Sequence, residues 1–178
     1  MTSATSTTSR RQSGRRIAGR AQRDHVIDPY QAQQKLQEPT ACRQCGAVYH
    51  RGRWQWGPKP EGAHEALCPA CRRINEHLPA GIVTVRASLA AQHKDEIIAL
   101  ARHTEAAEKP EHPMNRVIAI EQTEEGLVIT TTDIHLPRRI GEAVKDAYRA
   151  KLEVQFEAEA YFVRVYLDPR ICMPKAGQ

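Results

Sequence analysis

Four of the five cysteines fall in two pairs, Cys42-Arg-Gln-Cys45 and Cys68-Pro-Ala-Cys71, with twenty-two residues between them. Two C-x2-C knuckles at this separation are the signature of a tetrahedral zinc site with four thiolate ligands. Each knuckle presents two thiolates from a tight turn, and a hairpin between the knuckles brings them together. Four thiolates leave no open position for water, so the expected cofactor is one structural Zn2+ and not a hydrolytic ion. Such binding contributes on the order of 10–16 kcal/mol at neutral pH, which makes the metal part of the fold. The same sulfurs could form two disulfides, but a reducing cytoplasm disfavours them, and a redox C-x-x-C needs one knuckle, not two. His50 and His64 lie between the knuckles as alternative ligands, and Cys172 stands alone as an ordinary reduced thiol.

Between the knuckles runs Tyr49-His50-Arg51-Gly52-Arg53-Trp54-Gln55-Trp56, which holds both tryptophans of the chain. As a single strand it would put Tyr49, Arg51, Arg53 and Gln55 on one face and His50, Gly52, Trp54 and Trp56 on the other. Arginines interleaved with aromatics suit nucleic acid, because guanidinium groups pair with phosphates and rings stack on exposed bases. At least one tryptophan is expected to pack the module's own small core instead. Arg72 and Arg73, beside the second knuckle, extend the basic region. So does an N-terminal arm carrying Arg10, Arg11, Arg15, Arg16, Arg20 and Arg23 with no acid before Asp24. The nucleic-acid-binding set expected from sequence is therefore these six arginines with Arg51, Arg53, Trp54, Arg72 and Arg73.

Charge is distributed unevenly. Residues 1–60 contain eleven Lys or Arg against three Asp or Glu, while the remaining 118 contain fifteen against eighteen. A basic arm in front of a near-neutral body points to a polyanionic partner. No phosphate-cradling glycine loop, Ser/His/Asp set or H-E-x-x-H is present, and the polar junction at Asp133 and His135 reads more simply as a helix cap. The chain is thus expected not to be an enzyme. No run of eighteen apolar residues is present, so no membrane span is expected, and no apolar stretch follows the arm as a secretory signal would require. A cytoplasmic location is the expectation.

The elements that must position these groups follow from punctuation and periodicity. Residues 1–24 are too poor in hydrophobes to offset their ordering entropy and are predicted to be disordered. Residues 25–40 read as a tether with one short helix, 41–80 as the zinc module, 81–168 as an α/β sandwich domain and 169–178 as a loose tail. In the zinc module, the second knuckle leading into Arg72–Leu78 predicts a helix and a treble-clef-like form. The rest reads as strand Ile82–Ala87, helix Leu89–Glu108, a hairpin of Arg116–Gln122 with Leu127–Thr132, a helix capped by Asp133, and Leu152–Phe156 with Tyr161–Leu167 as one or two strands. The class is α+β, and the β-α-β-β-α-β order is that of the ferredoxin-like split βαβ. Phe162, Arg164 and Tyr166 share a strand face, for which core packing is the favoured reading over base stacking.

The stretches CRQCGAVYHRGRWQW…CPACRRI and TTTDIHLPRRIGEAV resemble a family of small uncharacterised bacterial zinc-ribbon proteins, over about Asp28 to Leu167. The knuckles are also similar to the N-terminal zinc region of the large-ribosomal-subunit export adaptor family, which carries more cysteine pairs and further domains. That resemblance implies Cys42, Cys45, Cys68 and Cys71 as ligands and adds weight to ribosome binding. The function expected from sequence is a non-catalytic zinc-ribbon protein that binds RNA or the ribosome, in ribosome assembly or stress. The alternative is a zinc-dependent adaptor or transcriptional regulator whose partner is another protein. Sequence does not fix an oligomeric state.

Overall fold

The computed structural model describes residues 28–32, 36–157 and 160–169 of the chain. The arm with its six arginines and Cys172 lie outside the described residues. Among the described residues no helix is long and apolar enough to cross a membrane.

The first unit is built around the two knuckles. A short helix, Pro29–Ala32 (α1), precedes strand Thr40–Cys42 (β1). The chain then turns sharply at Gly46 (φ 77°), where its N–H donates to the Cys42 carbonyl at 2.9 Å and the Cys42 N–H donates to the Ala47 carbonyl at 2.7 Å. Strands Val48–His50 (β2) and Arg53–Gln55 (β3) follow, then His64–Ala66 (β4), giving a small sheet of order β3-β2-β1-β4 with β4 parallel to β1. The second knuckle opens helix Pro69–Glu76 (α2), whose proline at its start has no N–H to leave unsatisfied. This is the treble-clef-like form expected.

The Tyr49–Trp56 run is not a single strand. Arg51 (φ 53°) and Gly52 (φ 76°) are both left-handed, the conformation of a two-residue hairpin turn that matches the twist of its strands. Tyr49 therefore pairs across the hairpin with Trp54 and shares its face, reversing the alternation expected from sequence. The Glu38 carboxylate accepts the backbone N–H groups of Arg51 at 2.6 Å and Gly52 at 3.0 Å, so this part of the supposed tether pins the turn.

The second unit runs Gly81–Arg86 (β5), Ala87–Glu108 (α3), Val117–Thr123 (β6), Gly126–Thr131 (β7), Leu136–Tyr148 (α4), Lys151–Phe156 (β8) and Val163–Asp168 (β9). The fold is α+β. Its five-stranded sheet has the order β6-β7-β5-β9-β8, with β7 between β5 and β6 as a split βαβ requires. The closing segment is a hairpin, and its second arm, β9, lies parallel to β5 while β8 takes the edge. Composition explains the placement. Val163, Val165 and Leu167 of β9 are fully buried, whereas β8 exposes Lys151, Glu153 and Gln155, charged and polar groups that suit an unpaired edge.

Both helices cover one sheet face, and Val83, Val85, Ile97, Leu127, Ile129, Leu136, Ile140 and Val144 fill the core between. Each such side chain contributes on the order of 1.5–3 kcal/mol by leaving water. Gly126 (φ 132°) is required where β7 passes the end of β5, since a Cβ there would lie 2.0 Å from the Val85 carbonyl oxygen. The N-cap position of α4 is His135, two residues later than the cap expected from sequence, and Asp133 still satisfies the helix start by accepting from the N–H groups of His135 (2.6 Å) and Leu136 (3.0 Å). Because β9 alternates, burial of its three aliphatic residues turns Arg164 and Tyr166 to the face away from the helices. Core packing is therefore not their role. Arg164 lies over the Phe162 ring at 4.8 Å and pairs with Glu157 at 2.9 Å.

Candidate metal centre and its surroundings

The local folding of the two knuckles determines where the sulfurs go. The amide N–H of Cys68 donates to the Cys42 Sγ at 3.4 Å, and that of Cys71 donates to the Cys68 Sγ at 3.4 Å. These bonds aim backbone dipoles at the sulfurs and favour thiolate over thiol. The ligand atoms of Cys42, Cys45, Cys68 and Cys71 all lie within 4.8 Å of one another, with Cys45 and Cys68 Sγ 3.7 Å apart. Four thiolates bound tetrahedrally at about 2.3 Å hold their sulfurs about 3.8 Å apart, so the cluster has the dimensions of a single-ion site. None of the four is in a disulfide. His50 and His64 are exposed and do not join the cluster.

The donor set calls for a cation. Burial pushes the Cys68 thiol up, and pushes Cys71 up to about 11, with the neighbouring sulfurs adding repulsion. At Cys42 burial also opposes ionisation, but the backbone amides of Cys68, Cys45 and Gln44 outweigh it and bring the thiol down to about 6. A bound cation would favour the ionised sulfurs against this burial and repulsion, and the four are close enough together to hold one ion.

Sequence reasoning missed the residue that answers this charge. Arg116, at the entry to β6 in the α/β unit, is buried against the cysteines, and its Nη1 donates to the Cys71 Sγ at 3.5 Å. Its Nε donates to the Pro113 carbonyl at 2.8 Å, and its guanidinium lies 5.6 Å from the Trp56 ring centre. Burial works against its charge, yet the sulfurs of Cys45, Cys68 and Cys71 hold its pKa above the ordinary arginine value. Nothing local in the sequence marks it, since it lies 45 positions from Cys71.

The other expected contacts divide. Arg73 is turned inward: only 4% exposed, it pairs with Asp28 at 2.7 Å and donates to the Leu78 carbonyl at 3.1 Å. Helical geometry sends Arg73 to the buried face of α2 while Arg72, one position earlier, stays accessible, so Arg73 is withdrawn from the contact set. Trp54 packs beside the cysteine cluster with Leu67 and Met114, its ring 5.5 Å from Tyr49. Trp56 is partly exposed and its Nε1 donates to the Lys109 carbonyl at 2.6 Å.

Arg51 and Arg53 are exposed on the hairpin. With Arg43, which sequence reasoning passed over, and Arg72, they form no salt bridge among the described residues. Arg86, Arg102, Arg138, Arg139 and Arg164 of the α/β unit all pair with carboxylates.

Arg43, Arg53 and Arg72 line one cavity of about 650 Å3 between the cysteine module and the loop after α3, together with Tyr30, Tyr49 and Trp54. A second cavity of about 520 Å3 is lined by Glu108, His112, His135, Arg138, Arg139 and Glu142. His135 is at that cavity, but Asp133 is not among its lining residues: it is buried at the start of α4, and burial raises its carboxyl pKa.

No family model, curated protein or solved structure matches the chain.

Proposed function

We propose that the chain is a non-catalytic zinc protein that binds RNA, with the ribosome as its natural source. The ion is assigned as zinc because four thiolates in a closed tetrahedral arrangement suit its soft, redox-inert chemistry and give water no coordination position. The observation that carries the RNA reading is the distribution of guanidinium groups. Among the described residues, the α/β unit pairs its arginines with carboxylates or, at Arg116, with the cysteine sulfurs, and leaves only Arg149 unmatched. The cysteine module leaves Arg51, Arg53 and Arg72 without a salt bridge among the described residues, Arg43 interacts only at longer range with Glu65, and Arg43, Arg53 and Arg72 line one cavity with aromatic walls. Cations kept free at a concave surface raise the local concentration of a polyanion, and the sequence places a further six arginines in the arm that precedes it.

Substituting Arg53→Glu and Arg72→Glu together tests this. Neither side chain holds the cysteine cluster, so metal content and thermal midpoint are expected to stay as in the parent. Co-sedimentation with ribosomes is expected to weaken at least tenfold. The salt dependence of RNA affinity should become shallower by about 0.7 in log–log slope for each single-strand phosphate that is no longer neutralised. Unchanged affinity in the double variant would remove the module from the interface. Stable protein partners captured from nuclease-treated extract, with no RNA bound, would instead support the adaptor alternative.

A further inference from the structure

We infer that the cavity between the cysteine module and the loop after α3 is a seat for one unpaired nucleotide of a single-stranded RNA. Its base would enter the cavity and its flanking phosphates would lie on Arg43, Arg53 and Arg72. Such a seat rests on the RNA reading and deepens it. A purely electrostatic contact would require only a convex basic face. Here three guanidinium groups, against the single carboxylate of Glu111, line a hollow of about 650 Å3, within the range of small-molecule pockets.

The walls of the hollow supply what a base needs. Tyr49 and Trp54, brought to one face by the hairpin, present rings from one side. Asn115 also lines the hollow, from the loop that leads into Arg116. The residue is 8% exposed and its backbone N–H donates to the His112 carbonyl at 3.0 Å, which fixes the loop, while its side-chain amide is not among the buried polar atoms that lack a partner and so stays accessible from the cavity. Its adjacent donor and acceptor match the paired donor and acceptor on the edge of a nucleobase. Rings for stacking, a carboxamide for the base edge and arginines for the backbone are the elements by which proteins read splayed-out bases in single-stranded RNA. A duplex keeps its bases stacked and could use only the arginines.

The test uses the full, metal-loaded chain carrying Trp56→Phe, which leaves Trp54 as the only tryptophan. It is titrated with a short single-stranded oligoribonucleotide, with the same strand in a duplex, and with a free mononucleotide. The single strand is expected to quench Trp54 and to bind at least tenfold more tightly than the duplex. Asn115→Ala and Tyr49→Leu are each expected to weaken single-strand binding about tenfold, with little change in its salt dependence, since neither carries charge. Using both variants guards against a folding defect in one, and their metal content reports on the module.

Equal affinity for single strand and duplex with Trp54 emission unmoved would overturn the nucleotide seat while leaving RNA binding intact. A mononucleotide that binds as tightly as the strand would overturn it in favour of a small-molecule site. Failure of all three ligands to bind would overturn the RNA reading itself.

Discussion

Replacing Cys45 by serine is expected to abolish stoichiometric metal binding and to unfold the cysteine module while the α/β unit stays folded. Cys45 is the least buried of the four ligands, so serine fits sterically and the change isolates the removal of one thiolate. The module has little else to hold it. Its buried apolar cluster is Cys42, Ala47, Cys68, Ala70 and Cys71, three of them ligands, backed by the partly buried Trp54, Leu67 and Met114. A core of that size cannot offset the ordering entropy of about forty residues, so the free energy of metal binding is the free energy of folding. The α/β unit has an independent core running from Val83 to Leu167. Both tryptophans lie in the module, so its unfolding should appear as a red shift of tryptophan emission, with helical dichroism largely retained. Full metal occupancy in the serine variant would contradict the ligand assignment.

Replacing Arg116 by methionine is expected to lower metal affinity by about 10–100-fold, the usual cost of removing a group that hydrogen-bonds a metal ligand. Methionine keeps the apolar stem and removes only the guanidinium. That group donates to the Cys71 sulfur from a buried position, so the methionine variant leaves the clustered thiolate charge without its nearest cation. The effect should be read by competition with a chelator, alongside the thermal midpoint of the module. Arg116→Lys should fall between parent and methionine variant, since it keeps the charge but gives up the planar fork that reaches Cys71 and Pro113 together. A methionine variant that competes with the chelator as well as the parent would show that the guanidinium only packs.

The features legible in the sequence were those set by short-range chemistry. The four cysteines announced themselves because a knuckle is a local turn, and Asp133 marked a helix start because capping involves only a few neighbouring residues, whereas the helix after the second knuckle begins at Pro69, three residues before the Arg72 start expected from sequence. The hydrophobic periods of α3 and α4 and the strand alternation gave the α+β class. The features that were not legible depended on distant partners or uncommon turns. The hairpin at Arg51-Gly52 lacks the usual Asn-Gly or Asp-Gly pair, so eight residues read as one strand. Arg73 looked equivalent to Arg72 until Asp28, 45 positions away, supplied the carboxylate that draws it inside. Arg116 and Asn115 gain their significance only because the loop after α3 folds back onto the knuckles, an approach that no local pattern encodes. The insertion of β9 beside β5 was likewise a competition between two strands, settled by which had the more apolar face.

The most direct test of RNA binding through a metal-organised surface is ribosome co-sedimentation of the full chain, metal-loaded and then chelator-stripped, across a salt series. In the proposed arrangement the metal holds in place the surface that carries the free arginines. Metal-loaded protein is therefore predicted to travel with the ribosome at low salt and to be released as salt rises, and stripped protein to show little association at any salt concentration. Association that survives metal removal undiminished would contradict the proposal, as would loaded protein left at the top of the gradient at low salt.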